Sequence, residues 1–205
     1  MPKDPRPFSL FPYSLRPDAR VMTFVDGENL AIRFGAELAA KDLTAAPDHV
    51  IYEKDIYVWS RFASLIGPHD HVRHYYYTSA SGDDPKRRDF ERLLANAGIE
   101  EAHVFPRTKD KGSKRVDITL ASTMLSHAHR KNFDVAVLVA GDEDYIPLVE
   151  AVKAEGCRVY LWFVESGLSP ALRARVDYFC GLSDLFLSPT HEVAAVMAGY
   201  SWGNK

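Results

Sequence analysis

A chain of 205 residues supports one sizeable core, and a hydrophobic share of 46% beside a charged share of 26% excludes disorder and fibrous repeats. The formal charge of -3 excludes a wholly basic nucleic-acid coat but leaves room for a local basic patch. Cys157 and Cys180, with no CxxC pair, exclude a disulfide framework and a cysteine-rich zinc site, so a reducing, cytoplasmic location is expected.

Residues 1–19 carry repeated prolines without a continuous apolar run and read as an extended arm, neither a signal peptide nor a membrane anchor. No later run approaches the roughly 20 apolar residues of a membrane helix. Val21 to Val25 predict a first strand and Asn29 to about Ala40 a helix, with Asp26 at their junction. Residues 41–71 have apolar positions at mixed spacings and predict mostly helix after Pro47, ending at Gly67-Pro68. A second strand over 72–78 precedes a helix with Asp83 or Asp84 as cap, Pro85 in its first turn and Gly98 as stop, burying Phe90, Leu93 and Leu94.

A third strand over about 99–105 runs into a basic loop, RTKDKGSKR, and a helix begins near Asp117 with Ile118, Ala121, Met124, Leu125 and Ala128 at helical spacing. The run DVAVLVAG predicts a central fourth strand that ends at Asp142-Glu143-Asp144. A helix with Pro147 in its first turn then stops at Gly156, CRVYLWFV predicts a fifth strand, and a short helix follows around 170–175. The alternation predicts an α/β domain over 20–188, a three-layer α/β/α sandwich with a central, mostly parallel sheet of Rossmann-like type, followed by a tail over 189–205.

In such a sheet, ligands bind beyond the carboxyl ends of the strands, where strand order reverses. Asp26 and Asp142 follow central strands, and right-handed crossovers bring both strand ends to one edge. Asp117, opening the intervening helix, reaches the same edge. Converging carboxylates repel one another unless a cation is present, and an all-oxygen set suits Mg²⁺ or Mn²⁺. Such an ion polarises a phosphodiester and activates water, which makes hydrolysis of a nucleic-acid backbone the natural reaction. Arg107, Lys109, Lys111, Lys114 and Arg115 would neutralise substrate phosphates beside it, and Asn29 would donate to a phosphate oxygen or orient a metal-bound water.

The segments VDGENL, KRVDITLASTML and DVAVLVAGDEDYIPLVEAVKAEGCRVYLW resemble, in spacing and order, the three hallmark segments of the NYN domain, a branch of the PIN-like nuclease superfamily. The likeness spans about 21–185. It implies a PIN-like fold and a Mg²⁺-dependent ribonuclease, with metal-site acids at Asp26, Asp117, Asp142 and Asp144, Asn29 in support, and RNA as partner. Ala140-Gly141 stands where the family often has Ser-Gly, and Tyr145 where it often has Phe. The insertion between first helix and second strand and the Pro-rich arm lie outside the pattern.

Simpler readings compete. Each aspartate alone is equally an N-cap or a helix-dipole partner, above all Asp144. Tyr75, Tyr76 and Tyr77 are expected in the core. His69, His71 and His74 suggest zinc, yet no partner acid stands at ligand spacing and a solvated loop is expected. A catalytically weak binding module and a haloacid-dehalogenase-type phosphatase are the alternative functions, although the phosphatase would want Asp where Glu28 stands.

Overall fold

The computed structural model describes residues 10–12, 15–64, 69–107 and 114–199. Its central strand is β1 (Arg20–Asp26), buried from Val21 to Asp26 because both faces of the sheet are covered. α1 (Gly27–Ala40) follows without a loop, since Asp26 ends the strand and caps the helix at once. Then come a hairpin of β2 (Val50–Glu53) and β3 (Tyr57–Ser60), the single turn α2 (Arg61–Ser64), β4 (Asp70–Ala80) and α3 (Asp84–Asn96). β5 (Glu101–Pro106), α4 (Lys114–His129), β6 (Val135–Val139) and α5 (Ile146–Ala154) form the middle of the chain. β7 (Arg158–Phe163), α6 (Pro170–Arg173), β8 (Tyr178–Gly181), α7 (Ser183–Leu187) and α8 (Thr190–Gly199) complete it.

Six parallel strands make one sheet in the order β5-β4-β1-β6-β7-β8. The chain builds outward from β1 through β4 to β5, then returns to the other side of β1, so strand order reverses between β1 and β6. α1 leaves β1 toward one face and α5 leaves β6 toward the other, which opens a crevice at their carboxyl ends.

One face packs Leu30 and Phe34 of α1, Trp59 of β3, Phe90 and Leu94 of α3, and Leu185 and Phe186 of α7. The other packs Leu120 and Met124 of α4, Leu148 and Val152 of α5, and Leu172 of α6. Tyr76 joins the first core and its neighbours Tyr75 and Tyr77 the second, as strand alternation requires. The three-layer α/β/α architecture with its parallel sheet is the one expected from the sequence.

Several local expectations are corrected. The segment after Pro47 is a hairpin, not mainly a helix: Val50–Glu53 pairs antiparallel with Tyr57–Ser60 around a turn in which Asp55 adopts φ 57°. Helix α3 buries Phe90 and Leu94 but leaves Leu93 exposed. In α4 the buried stripe is Val116, Leu120, Met124 and Ala128, while Ile118 and Leu125 face outward. A helix has room for one such stripe against a sheet, and the sheet takes the one that begins at Val116. His71 and His74 lie on β4 with His74 buried, not in a solvated loop. Within the expected arm, Phe11 and Leu15 are buried and the Trp162 indole donates to the Leu10 carbonyl at 2.8 Å; α8 stands within the expected tail, with Val193 buried.

Candidate metal centre

Asp26 closes β1 as a residue 2% exposed, and one carboxylate oxygen accepts from the Asn29 backbone amide at 3.0 Å. That bond is the helix cap, and it leaves the second oxygen, Oδ2, for the crevice. The Tyr145 hydroxyl donates to this Oδ2 at 2.9 Å and lies 3.3 Å from Oδ1 of Asp117, which stands in the first turn of α4. A phenol has one hydrogen to give, so two carboxylates from distant parts of the chain compete for a single donor.

Asp142 follows β6 and begins a turn of 3₁₀ helix over Glu143–Tyr145 without capping it through its side chain. Its Oδ2 instead accepts from Asn29 Nδ2 at 2.7 Å, and the Gly141 amide donates to Asn29 Oδ1 at 3.2 Å. One asparagine thus ties the end of β6 to the start of α1. Asp144 is exposed in the same turn and adds negative potential at Asp117. Two glycines make the crevice narrow: a Cβ at Gly27 would sit 1.9 Å from the Tyr76 ring, and one at Gly141 2.5 Å from the Gly167 carbonyl.

The electrostatics are those of like charges held in a dry place. Burial first, then the nearby Asp117 and Asp142 charges, push Asp26 up from 3.8 to about 7. Asp117 is raised too, by burial and then by Asp142, Glu28 and Asp144. The Tyr145 phenol is driven upward by burial and by the two carboxylates it serves. An all-oxygen set with unrelieved repulsion fits a hard divalent cation.

Of the residues expected at the site, Asp26, Asn29, Asp117 and Asp142 are brought together, with Asp144 beside them. Arg107 is committed elsewhere: it pairs with Glu28 at 3.0 Å and donates to Ser79 Oγ at 3.0 Å and to the Asp55 carbonyl at 2.6 Å. Arg115 is exposed and lies over the Phe105 ring, 5.3 Å from its centroid. Lys109 and Lys111 lie outside the described residues, as does the side chain of Lys114. Sequence reasoning missed the Tyr145 bridge and the Glu28–Ser79–Arg107 cluster that borders the crevice. Their only trace in the chain is proximity, Tyr145 following Asp142-Glu143-Asp144 and Glu28 standing two residues after Asp26. Among the described residues, the three side chains whose ligand atoms all lie within 4.8 Å of one another are not these aspartates but His71, His74 and Glu100.

A model of the NYN domain family matches residues 20–183. No curated protein matches the chain. A crystal structure of a protein of unknown function from Vibrio parahaemolyticus is similar in fold, with a TM-score of 0.61 at 21% identity, over 85% of this chain and 99% of that one. Among the described residues no helix is long and apolar enough to cross a membrane.

Proposed function

This chain belongs to the NYN domain family, and on that premise we propose that it is a metal-dependent endoribonuclease acting through Mg²⁺ or Mn²⁺ at the carboxyl edge of the sheet. The observation that carries the reading is the approach of Asp26 and Asp117, carboxylates from β1 and α4, to one hydroxyl, that of Tyr145. Such a pair, with Asp142 held at the same edge, is what a cation relieves.

Asp26, Asp117, Asp142 and Asp144 would hold the ion, which supplies a polarised phosphate oxygen and a water acidic enough to attack. Asn29 fixes the Asp142 carboxylate by donating to it and is itself held by the Gly141 amide. Burial of Asp26 keeps bulk water from one side of the crevice. The RNA backbone would cross the basic segment 107–115, meeting exposed Arg115 together with Lys109, Lys111 and Lys114. Arg107, already paired with Glu28, contributes less. Residues 20–188 form the nuclease unit on this reading, working in the cytoplasm.

Purified protein is expected to cleave RNA in Mg²⁺ or Mn²⁺, to stop in EDTA, and to lose about 100-fold or more in rate on Asp142→Asn. Undiminished cleavage by that variant overturns the assignment. The Tyr145 hydroxyl between two ligands favours a second reading, a weakly active module that binds RNA or protein. RNA binding that survives EDTA, with no cleavage in either metal, would decide for it.

A further inference from the structure

We propose that His71, His74 and Glu100 form a second metal site, for a late first-row cation of the Zn²⁺ kind, on the sheet face toward hairpin β2–β3. It is independent of the ribonuclease reading. Residues three apart on a regular strand point to opposite faces. Here β1 pairs Val21 with His71 but Met22 with Arg73, so an irregularity at Val72 resets the alternation and both imidazoles face one side. Their ring centroids are 3.7 Å apart.

Glu100, just before β5, supplies the acid that the local sequence around the histidines lacks. Its Oε2 accepts from the His74 amide at 2.8 Å and lies 3.1 Å from His74 Nδ1. An ion in that gap would take the His74 Nδ1 lone pair together with Oε2, the imidazole proton then standing on Nε2. That Nε2 is buried, in a residue 2% exposed, and has no hydrogen-bond partner among the described residues. Among the described residues, His71 Nε2 has Thr23 Oγ1, at 3.4 Å, to give up.

Two imidazoles and a carboxylate are the donor set of three-ligand zinc sites, unlike the all-oxygen edge beyond β1. Bonds of about 2.1 Å place tetrahedral ligand atoms about 3.4 Å apart, so the present group must close by roughly 1.4 Å. His71 is partly buried and Glu100 exposed, so both can make that swing while His74 stays fixed. The fourth position is left for water. The pairing of Thr23 with His74 and Asp26 with Tyr77 separates the two centres by about 10 Å or more along the strands. A bound ion would pin β4 to the turn that precedes β5.

The test is calorimetric titration of the chelated full-length chain with ZnCl₂ and separately MgCl₂, on wild type, His71→Ala, Glu100→Gln and Asp142→Asn. Wild type and Asp142→Asn are expected to take up one equivalent of Zn²⁺ that Mg²⁺ does not displace, with affinity at least about 10-fold weaker in His71→Ala and Glu100→Gln. Co²⁺ in place of Zn²⁺ should give tetrahedral visible bands that His71→Ala removes. Because His71 is partly exposed, its alanine variant remains decisive should Glu100→Gln fail to fold. Wild-type Zn²⁺ affinity in His71→Ala, loss of Zn²⁺ in Asp142→Asn alone, or no uptake by wild type would each overturn the proposal.

Discussion

The two ends of the same parallel strands are built on opposite electrostatic plans. At the amino ends, Asp134 takes hydrogen bonds from the Arg20 amide at 2.9 Å and from its guanidinium at 3.3 and 3.0 Å, and is held below the usual carboxylate range by them. Burial would raise Glu100, yet the His74 ring and amide hold it down to about 2. At the carboxyl ends Asp26 and Asp117 are instead pushed up, by burial and then by neighbouring carboxylates. Acids set beside basic side chains stabilise the fold, whereas acids set against other acids in a dry crevice keep their mutual repulsion where chemistry would use it.

The largest expected effect comes from removing the strain itself. Burial and neighbouring charge push Asp26 up to about 7 in the folded protein, against 3.8 for an ordinary aspartate, so between those pH values the folded state holds a proton that the unfolded chain has released. Its contribution to stability is therefore fully present at acid pH and is lost as pH rises through 7, by about 4 kcal/mol in all. In EDTA, Asp26→Asn should be more stable than wild type by about 1–2 kcal/mol at pH 5 and about 4 kcal/mol at pH 8, read from urea midpoints. A gap that does not widen with pH would mean that Asp26 is not frustrated.

The mirror experiment at the other end has the opposite sign and a smaller size. Asp134→Ala removes the partner of the Arg20 amide and side chain, but this pair is 41% and 37% exposed, so screening limits the cost to about 1–2 kcal/mol. Metal-dependent cleavage should be unchanged. If Asp134→Ala depressed cleavage more than it lowered the urea midpoint, the division of labour between the two ends would fail.

How much of this was legible in the chain follows from how local each cause is. β1, β6 and β7 are continuous apolar runs and announce themselves, and the strand order places Asp26 and Asp142 together by topology alone. The hairpin over 50–60 was misread because its turn depends on Asp55 taking a positive φ, which no residue pattern near it demands. Ile118 and Leu125 keep helical spacing as well as Leu120 and Met124 do, and only the sheet decides which stripe it covers. The His71–His74–Glu100 group depends on an irregular register between β1 and β4 and on a residue 26 positions away, neither of which has a local signature.

The smallest and most discriminating prediction concerns Tyr145, whose hydroxyl joins the strained end to the rest of the fold. Tyr145→Phe keeps the buried ring and deletes the donor that Asp26 and Asp117 share, so the metal-free protein should lose about 1 kcal/mol. With the ion present the balance reverses, because a hydroxyl donating to Asp26 Oδ2 competes for a lone pair that a cation would take. The variant should therefore reach half-maximal cleavage at a few-fold lower Mg²⁺ concentration, with the stability loss visible only in EDTA. A higher Mg²⁺ requirement would assign the tyrosine the other role, holding two carboxylates in place for the ion, and would make the strain at this end partly a device for orientation.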